Sequence, residues 1–153
     1  MRNIQTKYIC VKKKADFAAM VSESLSEYQP DYIPVRMVFF GAPENNRAFR
    51  KQKAQIVSAV EQAYGKKSPV VSYVSQEPLD GCGLILEVHE MKLEAGDELE
   101  YKQCGDVPYI LFNSDAGRLL FLGAVSGNLD DTARKQSDEV FDKIQIVLDK
   151  EHM

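Results

Sequence analysis

One carboxylate stands inside an otherwise apolar stretch of the sequence. Glu87 belongs to "GLILEVHEM", residues 83–91, which reads as a β-strand and follows a first strand at 69–76 across the Gly-rich turn "EPLDGCG". A carboxylate that points into a strand-lined core must be paired, protonated or chemically active, whereas on the polar side of an amphipathic strand it simply faces water. The residues alone leave both explanations of Glu87 open.

The cysteines predict neither a disulfide framework nor a metal site. The chain has three of them, Cys10, Cys82 and Cys104, with no CxxC spacing and only two histidines to supplement them. An odd number of cysteines does not form a paired framework, and a structural zinc site needs four ligands. We therefore expect three reduced thiols, no metal and no cofactor, and we expect Cys82 to be an unreactive thiol in its glycine-flanked turn.

Composition indicates one folded domain of ordinary size. The chain has 153 residues, of which 44% are hydrophobic and 27% charged, and its net charge is −4. Its lysine runs at 12–14 and 66–67 are short, so a nucleic-acid surface is not expected. There is no apolar run of about 18 residues and no secretory leader at the start, which predicts a cytoplasmic protein without a membrane span.

Helices and strands alternate in the first half of the sequence. A strand at 4–14 precedes a helix that Asp16 can cap, and a second strand at 35–41 precedes a helix that ends at Gly65. After the strands around Glu87, the acidic segment 92–106 reads as a mobile connection. A hairpin with strands at 107–113 and 118–125 follows, and a helix from Asp131 to about Lys150, capped by Asp130 or Asp131, closes the chain.

This order predicts an α+β fold with one mixed β-sheet and helices packed on one face. A sheet that helices cover on one side only leaves its other face open. We therefore expect self-association through that open face.

The stretch "SPVVSYVSQEPLDGCGLILEV" resembles the C-terminal signature of the Rid family, the reactive intermediate deaminases also called the YjgF or endoribonuclease L-PSP type. Pro69, Ser72, Val74 and Glu87 match that signature, and Glu87 falls on the catalytic glutamate of the family. The resemblance implies a chorismate mutase-like fold, a homotrimer, and hydrolysis of enamines or imines as the activity of the family.

A later stretch, "VPYILFNSDAGRLLFLGAV" and the helix after it, resembles the N-terminal half of the same family at Pro108, Tyr109, Gly123 and Gln136. The two halves occur in reversed order. Either the domain is a permuted Rid-like domain, or the chain is the first part of a longer protein with tandem Rid-like units, an arrangement that resembles the chorismatase family. We expect a Rid-like unit at 1–100 and the start of a second unit at 101–153, with the possibility that the two dock as one compact domain.

The resemblance also has a departure that bears on activity. The arginine with which the family anchors a substrate carboxylate corresponds to Val71 here. An aliphatic side chain cannot form the two parallel hydrogen bonds that a guanidinium makes to a carboxylate. On this basis Val71→Arg is expected to restore carboxylate binding. Further candidates for holding a carboxylate-bearing ligand in an intersubunit cleft are the hydrogen-bonding Ser72, Gln76 and Tyr109 and the cationic Arg36 and Arg118. Each also has an ordinary explanation as a solvated or packed strand residue.

Three functions therefore stay open. The first is a Rid-like domain that binds a small carboxylate-bearing molecule without deaminase activity. The second is a hydrolase of deaminase or chorismatase type that further sequence completes. The third is a structural domain whose sheet face mediates assembly, with a trimer expected from the family.

Overall fold

The computed structural model describes residues 4–79 and 81–153. In chain order these residues form β1 (Ile4–Lys12), α1 (Phe17–Glu27), β2 (Ile33–Gly41), α2 (Asn46–Tyr64), a 3₁₀ turn (Gly65–Lys67), β3 (Val70–Ser75), β4 (Cys82–Met91), β5 (Glu98–Cys104), β6 (Val107–Ser114), β7 (Gly117–Leu122) and α3 (Ala133–Lys150).

The helix ends follow short-range hydrogen bonding. The side chain of Asp16 accepts a hydrogen bond from the Ala18 amide at 3.0 Å, as the sequence predicts, and Gly65 ends α2 at a φ of 57° that favours glycine. The expected caps of α3 are wrong, because Thr132 caps that helix. Asp130 instead forms an ion pair with Arg50 of α2 at 2.8 Å.

The first sheet has four strands in the order β1-β4-β2-β3. β2 and β3 are parallel, and β4 runs antiparallel to both of its neighbours. Both α1 and α2 pack on one face, where a core of buried side chains joins the helices to the strands. The strand members of this core include Val11, Phe39, Val71, Leu84 and Leu86.

The second half of the chain forms a separate antiparallel sheet, β5-β6-β7. The predicted single sheet is therefore corrected, since the hairpin pairs with β5 and not with the first sheet. The expected mobile connection is also wrong over Glu98–Cys104, because Leu99 and Tyr101 pair with Phe112 and Ile110 of β6. β5 spans the expected boundary between residues 100 and 101.

Apolar side chains join the two sheets where β2 and β3 begin and β4 ends. Val35, Val70 and Met91 pack there against Ile110 and Phe112 of β6. α3 covers the other side of the second sheet, with Val147 against Val107 and Tyr109. The fold is thus of the α+β class, and most of the face of the first sheet opposite α1 and α2 carries polar or exposed side chains. No helix among the described residues combines the length and apolar character of a membrane span.

Candidate functional site

Strand register places Glu87 in the middle of a row of side chains across the first sheet. Glu87 lies opposite Tyr8 of β1 and Val38 of β2, and Val38 in turn lies opposite Ser72 of β3. Directly paired residues share one face of a sheet. The row therefore brings Glu87 and Ser72 to the same surface, two strands apart, as the sequence-based hypothesis requires.

This surface is the face opposite the helices. Leu86 and Val88, the two neighbours of Glu87 in β4, are fully buried in the core beneath α1 and α2. Because successive strand residues alternate between faces, Glu87 points the other way. Its side chain is 19% exposed, so it is neither a core carboxylate nor a freely solvated one.

A histidine holds the Glu87 carboxylate. His89, the next residue of β4 on the same face, places its Nε2 2.7 Å from Glu87 Oε1. On the other side of Glu87, the phenol of Tyr8 is 68% exposed. The charge of Glu87, desolvation and a hydrogen bond to Glu87 raise the pKa of Tyr8, in that order of size. A Tyr-Glu-His group thus lies on the open face, with Glu87 at its centre.

Arg36 joins this group from β2. It lies opposite His89 in the neighbouring row and is half-buried. Diagonal neighbours on adjacent antiparallel strands are about 7–8 Å apart, which is within reach of an arginine side chain, so Arg36 can approach Glu87 or a ligand beside it. Among the residues that the structure describes, none places a carboxylate within 4.0 Å of the Arg36 guanidinium. We call Tyr8, Arg36, Ser72, Glu87 and His89 the open-face cluster.

Val71 does not belong to this cluster. Its side chain is 7% exposed and packs in the core beneath the helices, opposite Met37. It therefore points away from Glu87, and the expectation that Val71→Arg would supply a carboxylate anchor beside Glu87 is corrected. An arginine at position 71 would instead enter the apolar core.

Tyr109 and Arg118 come together elsewhere, at the carboxylate of Glu151. The Tyr109 hydroxyl donates to Glu151 Oε1 at 2.6 Å, and Arg118 Nη2 lies 3.2 Å from Glu151 Oε2 while its Nη1 donates to the Glu151 carbonyl at 2.7 Å. Lys102 adds an ion pair at 2.8 Å. Hydrogen bonds from Lys102 and Tyr109 hold the pKa of Glu151 below its usual value, against the effect of burial.

This second group ties the end of α3 to the second sheet. Burial and the Glu151 carboxylate raise the pKa of Tyr109. Its hydroxyl and the Arg118 guanidinium are occupied by a carboxylate of the chain itself. The structure therefore places neither residue beside Glu87.

Gln76 also lies away from the open-face cluster. It follows the last residue of β3, is exposed, and its backbone amide donates to the Gly41 carbonyl at 2.9 Å. Gln76 lies four positions after Ser72, and at about 3.3 Å per strand residue this distance is longer than a side chain. Of the six predicted site residues, the structure thus brings together Glu87, Ser72 and Arg36.

Two members of the cluster were not predicted, and their signal was present in the sequence. His89 stands two residues after Glu87, and a spacing of two places strand residues on one face. Tyr8 required the pairing of β1 with β4, which sequence periodicity alone does not provide. The buried Glu90 was also missed. It accepts hydrogen bonds from the Tyr28 hydroxyl and from Gln5 Nε2, the latter at 2.5 Å.

The cysteine prediction is corrected for two of the three residues. Cys10 of β1 and Cys82 of β4 form a disulfide, with their Cα atoms 5.7 Å apart, and Cys104 is a free thiol. The antiparallel pairing of β1 and β4 brings the two together although 72 positions separate them in sequence.

No group of three or more His, Cys, Asp or Glu side chains in residues 4–79 and 81–153 is placed to hold a metal ion. The cluster offers one guanidinium, one carboxylate bonded to an imidazole, and two hydroxyls. Such a set can bind an anion beside a general base. In comparisons with known proteins, the chain matches no family model, no curated protein and no solved structure.

Proposed function

We propose that the chain is a Rid-like domain that binds a small carboxylate-bearing molecule on the open-face cluster. Arg36 receives the carboxylate of the ligand through its guanidinium fork. Ser72 donates a hydrogen bond, and Glu87 with His89 contacts the polar group next to the carboxylate. This assigns to Arg36 the role that Val71 cannot take.

One observation carries the proposal: Arg36 lies half-buried on the face of Glu87 without an acidic partner in the described part of the chain. A half-buried guanidinium loses hydration, and the usual compensation is an anion. Arg118 and Lys102, by contrast, already form ion pairs with Glu151. A small anion would supply the partner that Arg36 lacks.

The resemblance to the Rid family supports the same surface. Residues 4–91 end on the strand that carries Glu87, as the C-terminal half of a Rid unit does. We include in the proposal a chorismate mutase-like fold for this unit, self-association as a trimer through the open face, and a cytoplasmic location. In such an assembly the ligand would lie between subunits.

A hydrolytic activity is the second candidate, because His89 positions the Glu87 carboxylate at 2.7 Å. Glu87 would take a proton from water as the water oxygen attacks the C=N carbon of an enamine-derived imine. His89 would pass that proton to the nitrogen, which gives a carbinolamine. Transfer of the carbinolamine hydroxyl proton to the nitrogen through the same pair would break the C–N bond, release ammonia and leave a ketone.

The binding proposal is tested by calorimetric titration of pyruvate, a small 2-oxo acid, with pyruvamide as the uncharged comparison. We expect wild type to bind pyruvate and not pyruvamide, and Arg36→Gln to weaken pyruvate binding by about tenfold or more, or at least ~1.4 kcal/mol. Arg47→Gln, an exposed arginine on α2, is the matched control and should bind as wild type does. Equal affinities of the Arg36 and Arg47 variants would remove Arg36 from the site.

The hydrolase candidate has its own readout, the release of ammonia from 2-aminoacrylate generated in the assay. Glu87→Gln keeps the size of the side chain and removes the base. A rate above background that falls by about 10²-fold or more in Glu87→Gln would establish the activity. Binding of pyruvate with no ammonia release above background would reject the hydrolase candidate and support the binding proposal alone.

A further inference from the structure

A cavity of about 580 Å³ opens where the three parallel strands of the first sheet end. The segments that follow β1, β2 and β3 line it, together with the start of β4 and the first turns of α1 and α2. Its charged side chains include Lys13, Lys51, Glu44 and Glu77. Ligands commonly bind outside the carboxyl ends of parallel strands, and this volume lies in the range of small-molecule sites.

The wall of this cavity contains half of the disulfide. Cys82 lines the cavity and is half-buried, whereas its partner Cys10 is exposed on β1. A molecule in the cavity therefore meets Cys82, and Cys10 lies on the solvent side of the same bond.

Two lysines, Lys12 and Lys13, neighbour this bond in the pairing of β1 with β4. Lys12 is the strand partner of Cys82, and the backbone of Lys13 lies against Gly83, where a side chain would collide with it. Both lysines are exposed, and neither has a carboxylate within 4.0 Å among the described residues. Nearby ammonium groups attract an anionic nucleophile and stabilise a departing thiolate.

We propose that the Cys10–Cys82 disulfide is an exchange site for a small thiol that carries a carboxylate and an ammonium group and binds in this cavity. Lys13 and Lys51 face the carboxylate of such an amino-acid-derived thiol, and Glu44 and Glu77 face its ammonium. The cavity is distinct from the open-face cluster, and the proposal does not depend on the proposed function.

The exchange is a balanced displacement. The thiolate of the ligand attacks Sγ of Cys82, a new S–S bond forms between the ligand and Cys82, and the Cys10–Cys82 bond breaks. The electron pair of that bond leaves on Cys10, whose exposed thiolate takes a proton from water. A second thiol of the same kind can then attack the mixed disulfide, release Cys82 as a thiolate and complete the reduction.

The site of attack is tested on the oxidised full chain with Cys104→Ser, so that no free thiol interferes. The protein is incubated with glutathione, quenched with acid, alkylated and mapped by peptide mass spectrometry. We expect glutathione on Cys82 and the alkyl label on Cys10. Glutathione found on Cys10, or no adduct at all, would overturn the proposal.

The role of the cavity charge is tested with two thiols of similar size, the anionic 2-mercaptoethanesulfonate and the neutral 2-mercaptoethanol, with rates corrected for the fraction of thiolate. We expect the anionic thiol to react about tenfold faster with wild type, and Lys13→Glu to remove that preference. Lys66→Glu, in the 3₁₀ turn away from the cavity, should keep it. An equal effect of the two variants would show that the cavity does not select the thiol.

Discussion

Val71 of β3 and Glu87 of β4 point to opposite faces of the four-stranded sheet. The register sets this relationship, because Ser72, the neighbour of Val71, shares a row with Glu87 through Val38. Val71 is part of the core that α1 and α2 cover, and Glu87 lies half-buried on the open face. A residue matched to the anchoring arginine of a family by sequence thus faces away from the residue matched to its catalytic glutamate.

Val71→Arg is therefore expected to destabilise the protein and not to create a ligand site. The core cluster that contains Val71 consists of apolar and tyrosine side chains, so the variant must bury a charge or open the sheet, at a cost of about 3–5 kcal/mol in the free energy of unfolding. Ser72→Arg, one residue away on the open face, is the matched control and should cost less than about 1.5 kcal/mol. Urea unfolding of both variants measures the difference. Similar losses of stability would contradict the placement of Val71 in the core and of Ser72 on the open face.

A second prediction concerns Glu90, which is fully buried on the helix side of β4. The Tyr28 hydroxyl donates to its carboxylate at the end of α1, and burial, followed by Glu90, raises the pKa of that hydroxyl. Tyr28→Phe leaves a buried carboxylate with one donor fewer, so we expect a loss of about 1–3 kcal/mol in the free energy of unfolding. Tyr32→Phe is the control, because no hydrogen bond of its hydroxyl is present among the described residues, and it should be neutral within about 0.5 kcal/mol. Chemical denaturation at neutral pH distinguishes the two.

The local features of the fold were readable from the sequence. Asp16 and Gly65 act through hydrogen bonds and backbone angles within a few residues, and the structure confirms both. The strand around Glu87 was also predicted, because its short apolar run follows a glycine-rich turn. Helix caps and short apolar runs depend on residues that are close together in the sequence, so the sequence alone is enough to predict them.

Features that depend on distant pairing were not readable. Leu99 and Tyr101 alternate with Glu98 and Glu100 as in a strand, but this acidic pattern also suits a connection, and only the partner strand β6 shows that a strand forms. The Cys10–Cys82 bond needed the register of β1 against β4. The candidate site shows the same division, since the periodicity of β4 places His89 beside Glu87, whereas Tyr8 and Arg36 join them through other strands.

The third prediction concerns assembly. The open face carries exposed apolar side chains, with Ile4 at 42% and Val74 at 36% exposure, beside the exposed ring of Tyr8. We expect the chain to sediment as a trimer at micromolar concentration and Val74→Asp to shift it to monomer, because a charge in an apolar contact costs several kcal/mol. Phe141→Asp changes an equally apolar, 70% exposed side chain on α3 and should leave the trimer intact. If wild type is a monomer, or if only Phe141→Asp breaks the trimer, the open face does not form the interface.

The last prediction follows from Glu151 and its partners on the second sheet. Because Lys102 and Tyr109 hold the pKa of Glu151 below its usual 4.5 in the folded state, the unfolded chain binds the proton more tightly. The contribution of Glu151 to stability is therefore fully present above about pH 5 and is lost as the pH falls through the lowered pKa. Glu151→Gln should lower the free energy of unfolding by about 1–3 kcal/mol at pH 7 and by less at pH 3, because below the usual 4.5 the unfolded chain binds the proton and the advantage of the folded state shrinks. Glu98→Gln, an exposed glutamate of β5 without a partner among the described residues, should follow the wild-type curve at both values. Urea titrations at pH 7, 5 and 3 measure this, and a penalty for Glu151→Gln that does not shrink with acid would show that packing, and not the charge, holds α3 to the sheet.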